Sequence, residues 1–243
     1  MRVSSTEIQN NFGKYLKIAS EQETVIITKN GRDIAKIAPC YGESRIAEHS
    51  TEYAAKSKYR VSYEEFLELT KNSDFRYELI DGEVFCLEAP NYYHQMVVAE
   101  LFVSFYSWFK GKKCRPLTSP FDVTLFKEES NRNVVQPDII VICDTEKVDE
   151  HGRYRGVPSL VVEVLSGSTR RNDMIKKTNL YMQTGVKEYW IVDPDKKQIY
   201  IYNFEESDVK DFKTCMHGDS IRSETFEGLE IELSQIFAGD VSK

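Results

Sequence analysis

Apolar residues along the chain fall into two kinds of run. Residues 135–143 and 159–165 are short, β-branched and nearly continuous, as in strands covered on both faces. Between 169 and 184 the apolar positions recur at helical intervals, and Gly185 marks the stop, because glycine adopts a left-handed C-cap at little cost. Upstream, the same reading gives a helix from the Ser62-x-x-Glu65 capping box to about Thr70, a hairpin over 75–87 turning at Asp81-Gly82, and a long helix over 91–110. Strands are expected at 122–126, 188–192 and 198–202, and another at 225–233 before a short terminal turn. Helices interleaved with strands predict an α/β (α+β) fold, a mixed sheet flanked by helices.

The first residues keep a different rhythm. Residues 1–5 open as a short strand, and Ser4-Ser5-Thr6-Glu7 has capping-box spacing ahead of Ile8, Phe12, Tyr15 and Leu16. Two helices are expected there, followed by apolar stretches at 25–28 and 34–37 around the hairpin signal Asn30-Gly31. Periodicity then lapses, and Gly, Ser, Glu and Lys collect between Pro39 and Lys58, as in a linker. The expected organisation is a small α+β module over 1–38, a linker over 39–58, a main domain over 59–237 and a tail over 238–243.

Four polar residues interrupt the apolar elements: Glu78, Asp138 after Pro137, Glu163 and Lys177. Strand alternation puts Glu163 on the same face as Val161 and Leu165, inside a core sheet. A lone carboxylate there costs several kcal/mol or shifts its pKa, and a Mg²⁺ ion held by two carboxylates and waters is one remedy. Met174, Lys177 and Tyr181 share one helical stripe, so Lys177 faces inward and needs Asp138, Glu163 or a phosphate beside it. Lys176, the competitor, lies about 100° around the helix. Arg170 and Arg171 oppose the macrodipole in the first turn, a conflict that a bound phosphate resolves.

Each of these residues also has a bland reading. Asp138, Glu163 and Lys177 can close into a buried salt bridge that does no chemistry. Glu78 shares its hairpin with Asp81 and Glu83, and the pattern does not say which acid points inward. His94, just behind Asn91, reads as a capping or surface residue, Tyr181 as packing, and Tyr189 and Trp190 as core.

Composition changes this picture little. The chain of 243 residues is 41% hydrophobic and 12% aromatic, enough for a packed core, and no apolar run reaches membrane-spanning length. No signal segment precedes the first strand, so a cytoplasmic protein is expected. Five scattered cysteines and four histidines argue against a disulfide framework and a zinc cluster, and Cys86 and Cys143 read as small buried apolar residues. The formal charge is −7, with nine Lys/Arg against seven Asp/Glu in residues 1–58, so the acidic excess lies beyond them. Such a chain does not coat nucleic acid through net charge. Phosphate contacts are left to local clusters, Arg170-Arg171 and Lys110-Lys112-Lys113-Arg115, of which the second reads equally well as a solvated helix end.

The ordered pieces Tyr77–Glu83, His94, Pro137-Asp138, Val162–Ser166 and Asp173-x-x-x-Lys177-x-x-x-Tyr181-x-x-x-Gly185-Val186-x-Glu188–Val192 together resemble the Uma2 (DUF820) family of endonucleases. That family belongs to the PD-(D/E)XK superfamily, and the resemblance covers roughly residues 59–237. It implies the restriction-endonuclease fold and hydrolysis of phosphodiester bonds in DNA with Mg²⁺ or Mn²⁺. It also implies a catalytic set of Asp138, Glu163, Lys177 and Glu78, with Asp138 and Glu163 holding the metal and His94, Arg170, Arg171 and Tyr181 as accessories. The superfamily's lysine usually stands two residues after the glutamate, where this chain has Leu165. The resemblance implies that its role has passed to Lys177, and it favours Glu78 as the inward acid.

Residues 1–38 are similar to the Phd/YefM antitoxins, which form dimers on operator DNA, although Gln9 stands where some members have a DNA-contacting arginine. DNA and a second copy of the chain are the implied partners, with no membrane and no cofactor besides the metal. The alternative is a catalytically silent or self-inhibited DNA-binding regulator, or a fused toxin and antitoxin.

Overall fold

The computed structural model describes residues 2–10, 15, 25–29, 31–37, 60–166 and 172–237. The chain divides into two compact units, Met1–Lys58 and Tyr59–Lys243.

In the first unit the elements are β1 (Arg2–Ser4), α1 (Ser5–Asn10), β2 (Val25–Lys29) and β3 (Arg32–Ile37). Ser4 Oγ accepts the Glu7 N–H at 3.1 Å, which turns the chain from strand into helix. β1 pairs parallel to β2 and β3 antiparallel to it. Val3, Ile8, Tyr15 and Val25 form the core, with Ile27 and Ile37 against it. The expected second helix, the 39–58 linker and the 238–243 tail lie outside the described residues.

The second unit begins with α2 (Tyr63–Thr70), whose capping box is complete: Ser62 Oγ accepts the Glu65 N–H, and Glu65 accepts the Ser62 N–H. A four-stranded sheet, ordered β5-β4-β8-β7, contains β4 (Arg76–Ile80), β5 (Glu83–Leu87), β7 (Val123–Glu128) and β8 (Asn131–Val135). The hairpin turn falls at Asp81-Gly82, both at positive φ, which is the backbone a two-residue hairpin turn requires.

A six-stranded sheet supplies the centre, ordered β13-β12-β11-β10-β9-β6. Its strands are β6 (Arg115–Thr118), β9 (Ile139–Ile142), β10 (Leu160–Val164), β11 (Glu188–Asp193), β12 (Gln198–Glu205) and β13 (Asp208–Met216). Within it β10 and β11 run parallel, and the other pairs are antiparallel. A short ribbon of β14 (Ser220–Arg222) and β15 (Glu230–Glu232) leads into α5 (Leu233–Ile236).

Alternation along β10 explains the layering. Leu160, Val162 and Val164 pack with α3 (Tyr92–Phe109) and α5 on one face. Val161 and Leu165 pack on the other face, with Ile80, Val123, Leu125 and the residues Leu180 and Tyr181 of α4 (Thr178–Thr184). The fold is thus mixed α+β, with sheets flanked by helices.

Several expectations need correction. The run 135–143 is not one strand: Val135 ends β8 in the four-stranded sheet and Ile139 begins β9 in the six-stranded one. Pro137, which has no N–H to donate, sits at the crossing. β13 was not foreseen, because an edge strand with exposed Val209, Phe212 and Met216 carries no buried-strand pattern. The stretch 225–233 yields only the three residues of β15 before α5 begins. Cys114 and Cys143 form a disulfide, since the β6–β9 register pairs Arg115 with Ile142 and brings the flanking residues opposite each other. Cys143 is therefore not a free apolar filler, and Cys86 is exposed.

Candidate active site

The site forms at one end of the central sheet. In the antiparallel β9–β10 ladder Val161 stands opposite Ile140 and Val162 opposite Ile139, so the next step sets Glu163 opposite Asp138. Asp138 meets His94 from α3, while Glu163 meets Lys177 and Tyr181 from the α4 side. Asp138 also closes the ladder with its side chain, accepting the Val164 N–H on Oδ2 at 2.7 Å. His94, in the first turn of α3, brings Nε2 to 3.2 Å from the same oxygen. The helix start is fixed by Asn91, whose Oδ1 accepts the His94 N–H at 2.9 Å.

Lys177 enters from the other face's helix. A π-helical turn, Asn172–Lys177, precedes α4, and its last residue reaches the core. Wide turns of this kind are frequent at functional sites. The Lys177 Nζ lies 2.9 Å from Glu163 Oε1 and 3.0 Å from Glu78 Oε1. Tyr181 Oη donates to the same Glu163 oxygen at 2.7 Å, and its ring packs edge-on against Tyr189. Glu78 Oε1 accepts the Gln136 N–H at 2.9 Å, which ties β4 to the segment leading into Asp138.

All three ions are almost fully buried: Glu78 and Glu163 are each 3% exposed and Lys177 is 4%. Two carboxylates share one ammonium, and Asp138 adds a third negative group across the ladder. Buried ion pairs regain their desolvation cost only with good geometry and further hydrogen bonds. Tyr181 and the Gln136 N–H supply such bonds here. Mg²⁺ is typically bound through one or two carboxylates with waters and substrate phosphates completing the shell. The hard oxygens of Asp138 and Glu163 suit that donor set. Among the described residues no group of three or more His, Cys, Asp or Glu side chains is arranged to hold a metal ion, so the fit rests on this pair.

The remaining candidates divide clearly. Lys176 pairs with Glu83 and lies over the Phe85 ring, away from the cluster. Asp81 binds Lys127 at 2.8 Å, so Glu78 is the acid of its hairpin that points inward. Burial works to raise the Asp81 carboxyl, but Lys127, Asn131 and Arg60 outweigh it and hold the group below its ordinary value. Arg170 and Arg171 lie outside the described residues. Trp190 is core, and its Nε1 donates to buried Glu188, which also accepts Ser223 Oγ and the Thr225 N–H. Sequence reasoning missed the part of Gln136, which acts through its main chain; for Tyr181 the residue pattern gave a packing part, and the accessory part came from the resemblance alone. A tyrosine one turn beyond an inward lysine was the available signal for the second.

Comparisons with known proteins bear on the family and the fold. A family model named Uma2 and described as "Putative restriction endonuclease" matches residues 63–234. The chain is 26% identical over 145 residues to "Uncharacterized protein slr1290" of Synechocystis sp., covering 59% of this chain and 74% of that one. The crystal structure of an Anabaena variabilis protein described as "a putative nuclease belonging to DUF820" aligns with a TM-score of 0.61 at 18% identity, over 73% of this chain and 98% of the other. At that identity the structural likeness is one of fold.

Proposed function

Since the chain belongs to the Uma2 family, we propose that its second unit is a divalent-metal-dependent endonuclease hydrolysing phosphodiester bonds in DNA. The observation that carries this reading is the buried Lys177 held between Glu78 and Glu163, at the sheet end where Asp138 stands opposite Glu163. Asp138 and Glu163 would hold Mg²⁺ or Mn²⁺. When bound, the ion acts as a Lewis acid on the phosphate and lowers the pKa of its water.

The chain's own residues do the positioning. The Val164 N–H and His94 both meet Asp138 at Oδ2. Lys177 and Tyr181 together fix Glu163 through Oε1. The Lys177 ammonium would steady negative charge growing on a phosphate or orient the attacking water. Glu78 anchors that ammonium from the opposite side. The first unit would supply dimerisation and DNA docking.

The test is a cleavage assay of the full chain on linear, circular and single-stranded DNA and on RNA, with and without Mg²⁺ or Mn²⁺. Metal-dependent cutting of DNA that vanishes in Asp138→Asn and in Lys177→Ala is the expected result. The same two Lys177 distances also fit a salt-bridge cluster in a DNA-binding regulator or a self-inhibited toxin and antitoxin fusion. Calorimetric titration with Mg²⁺ separates the readings: heat that disappears in Asp138→Asn supports the nuclease, and no heat together with no cleavage refutes it.

A further inference from the structure

The sheet end that carries the carboxylates also borders a cleft of about 320 Å³ beside α3. β10 and β11 run parallel, so Leu165-Ser166 and Pro194-Asp195 leave the sheet at the same end, and both pairs line the cleft. Crevices at the carboxyl ends of parallel strands are where α/β sheets usually take ligands. β9 runs the other way, so its entry residue Asp138 lies at this end too. His94 is a shared wall: it lines the cleft while its Nε2 approaches Asp138.

The lining has a definite chemistry. Met96, Val97 and Phe237 give the lining apolar surface, and Tyr93, 54% exposed, adds an aromatic ring. Glu100 is the sole Asp, Glu, Lys or Arg in the 18 residues of α3, and it lines this cleft half-buried. Its carboxylate forms no ion pair with a described residue, and its main-chain oxygen accepts Ser104 Oγ. Lys197 adds a cation to the lining. A carboxylate accepts hydrogen bonds from exocyclic amines of bases, an aromatic ring stacks on any base, and a lysine favours phosphate. The volume lies at the small end of ligand pockets, suited to one nucleotide and far too small for a duplex.

We infer that this cleft takes a single unstacked nucleotide whose base carries an amino group, adenine, cytosine or guanine, next to the phosphate held at the carboxylate pair. The inference rests on the nuclease reading for that last point only. The nucleotide can come from the substrate strand or from free solution, and the chemistry of recognition is the same.

Two arms test it on the full chain. In the first, dAMP, dCMP, dGMP and dTMP are titrated without metal and followed by NMR shifts. Glu100→Gln should weaken the three amino-bearing nucleotides by roughly tenfold and leave dTMP unchanged. Tyr93→Ala, at an exposed position that does not threaten folding, should weaken all four by about tenfold. In the second arm, an oligonucleotide that the chain cuts carries a single abasic position moved along the strand. Slowing by about tenfold when that position flanks the cut assigns the cleft to the substrate strand. Nucleotide binding that needs Glu100, with abasic strands cut at full rate, assigns it to a free nucleotide. Wild-type binding in both variants, or no binding and no abasic effect, overturns the inference while cleavage itself keeps the nuclease reading. A chain that cuts nothing, yet binds nucleotides through Glu100, refutes the nuclease and keeps the cleft.

Discussion

Lys177 is the residue whose loss reaches furthest, because it touches both buried glutamates at 2.9 and 3.0 Å. Without it Glu78 and Glu163 face each other in the core with no cation between them. Removing one partner from a buried ionic cluster costs about 3–5 kcal/mol, more than the packing lost with the side chain alone. Lys177→Ala should therefore unfold at clearly lower urea concentration than wild type as well as losing cleavage, and Mg²⁺ should restore part of its stability by occupying the negative site. Urea titrations with and without Mg²⁺ check this. A variant as stable as wild type would contradict this account. Tyr181 belongs to the same account, since its hydroxyl shares Glu163 Oε1 with the ammonium.

At the scale of elements, one local device sets up the site and another holds the loop at the opposite end of β9 and β10. The π-helical turn Asn172–Lys177 delivers Lys177 to the strand face that carries Glu163, while α4 beyond it is an ordinary helix closed by Gly185 at positive φ. The loop between β9 and β10 is held by Asp149, which accepts Arg155 Nε at 2.8 Å and the N–H groups of His151 and Arg153. The Arg155 guanidinium first, and then those backbone donors, hold the Asp149 carboxyl down at about 2 against an ordinary 3.8. A folded-state pKa below the unfolded one means that the ionised form favours the fold. This contribution is complete above roughly pH 4 and is lost as pH falls through about 2. Asp149→Asn should flatten that part of the curve. Melting temperatures at intervals between pH 5 and pH 2 will show wild type falling more steeply than the variant, and parallel curves would contradict the assignment.

For the whole molecule, the two units are very unequal in the core they own. Among the described residues the first buries only Val3, Ile8, Tyr15 and Val25, whereas the second has three clusters of its own. A module of about forty residues is too short to offset the conformational entropy of its own ordering. A chain beginning at Tyr59 should consequently fold and unfold cooperatively, and the full chain should be a dimer whose self-association weakens when residues 1–58 are removed. Light scattering and urea unfolding on both forms test this; a monomeric full chain at micromolar concentration would sink the dimer, and an unfolded short form would sink the boundary. What the sequence determined by itself is what near neighbours control. Glu163 between Val161 and Leu165, the stripe of Met174, Lys177 and Tyr181, the Ser4 and Ser62 caps and the turn at Asp81-Gly82 all follow from periods of 2 and 3.6 and from turn chemistry. Only the tertiary structure decided that 135–143 divides between two sheets at Pro137, that Lys177 bridges Glu78 and Glu163, that Cys114 meets Cys143, and that a cleft opens beside His94. Each of these depends on which strand lies beside which, and strand partners far apart in sequence leave no periodic trace along either strand.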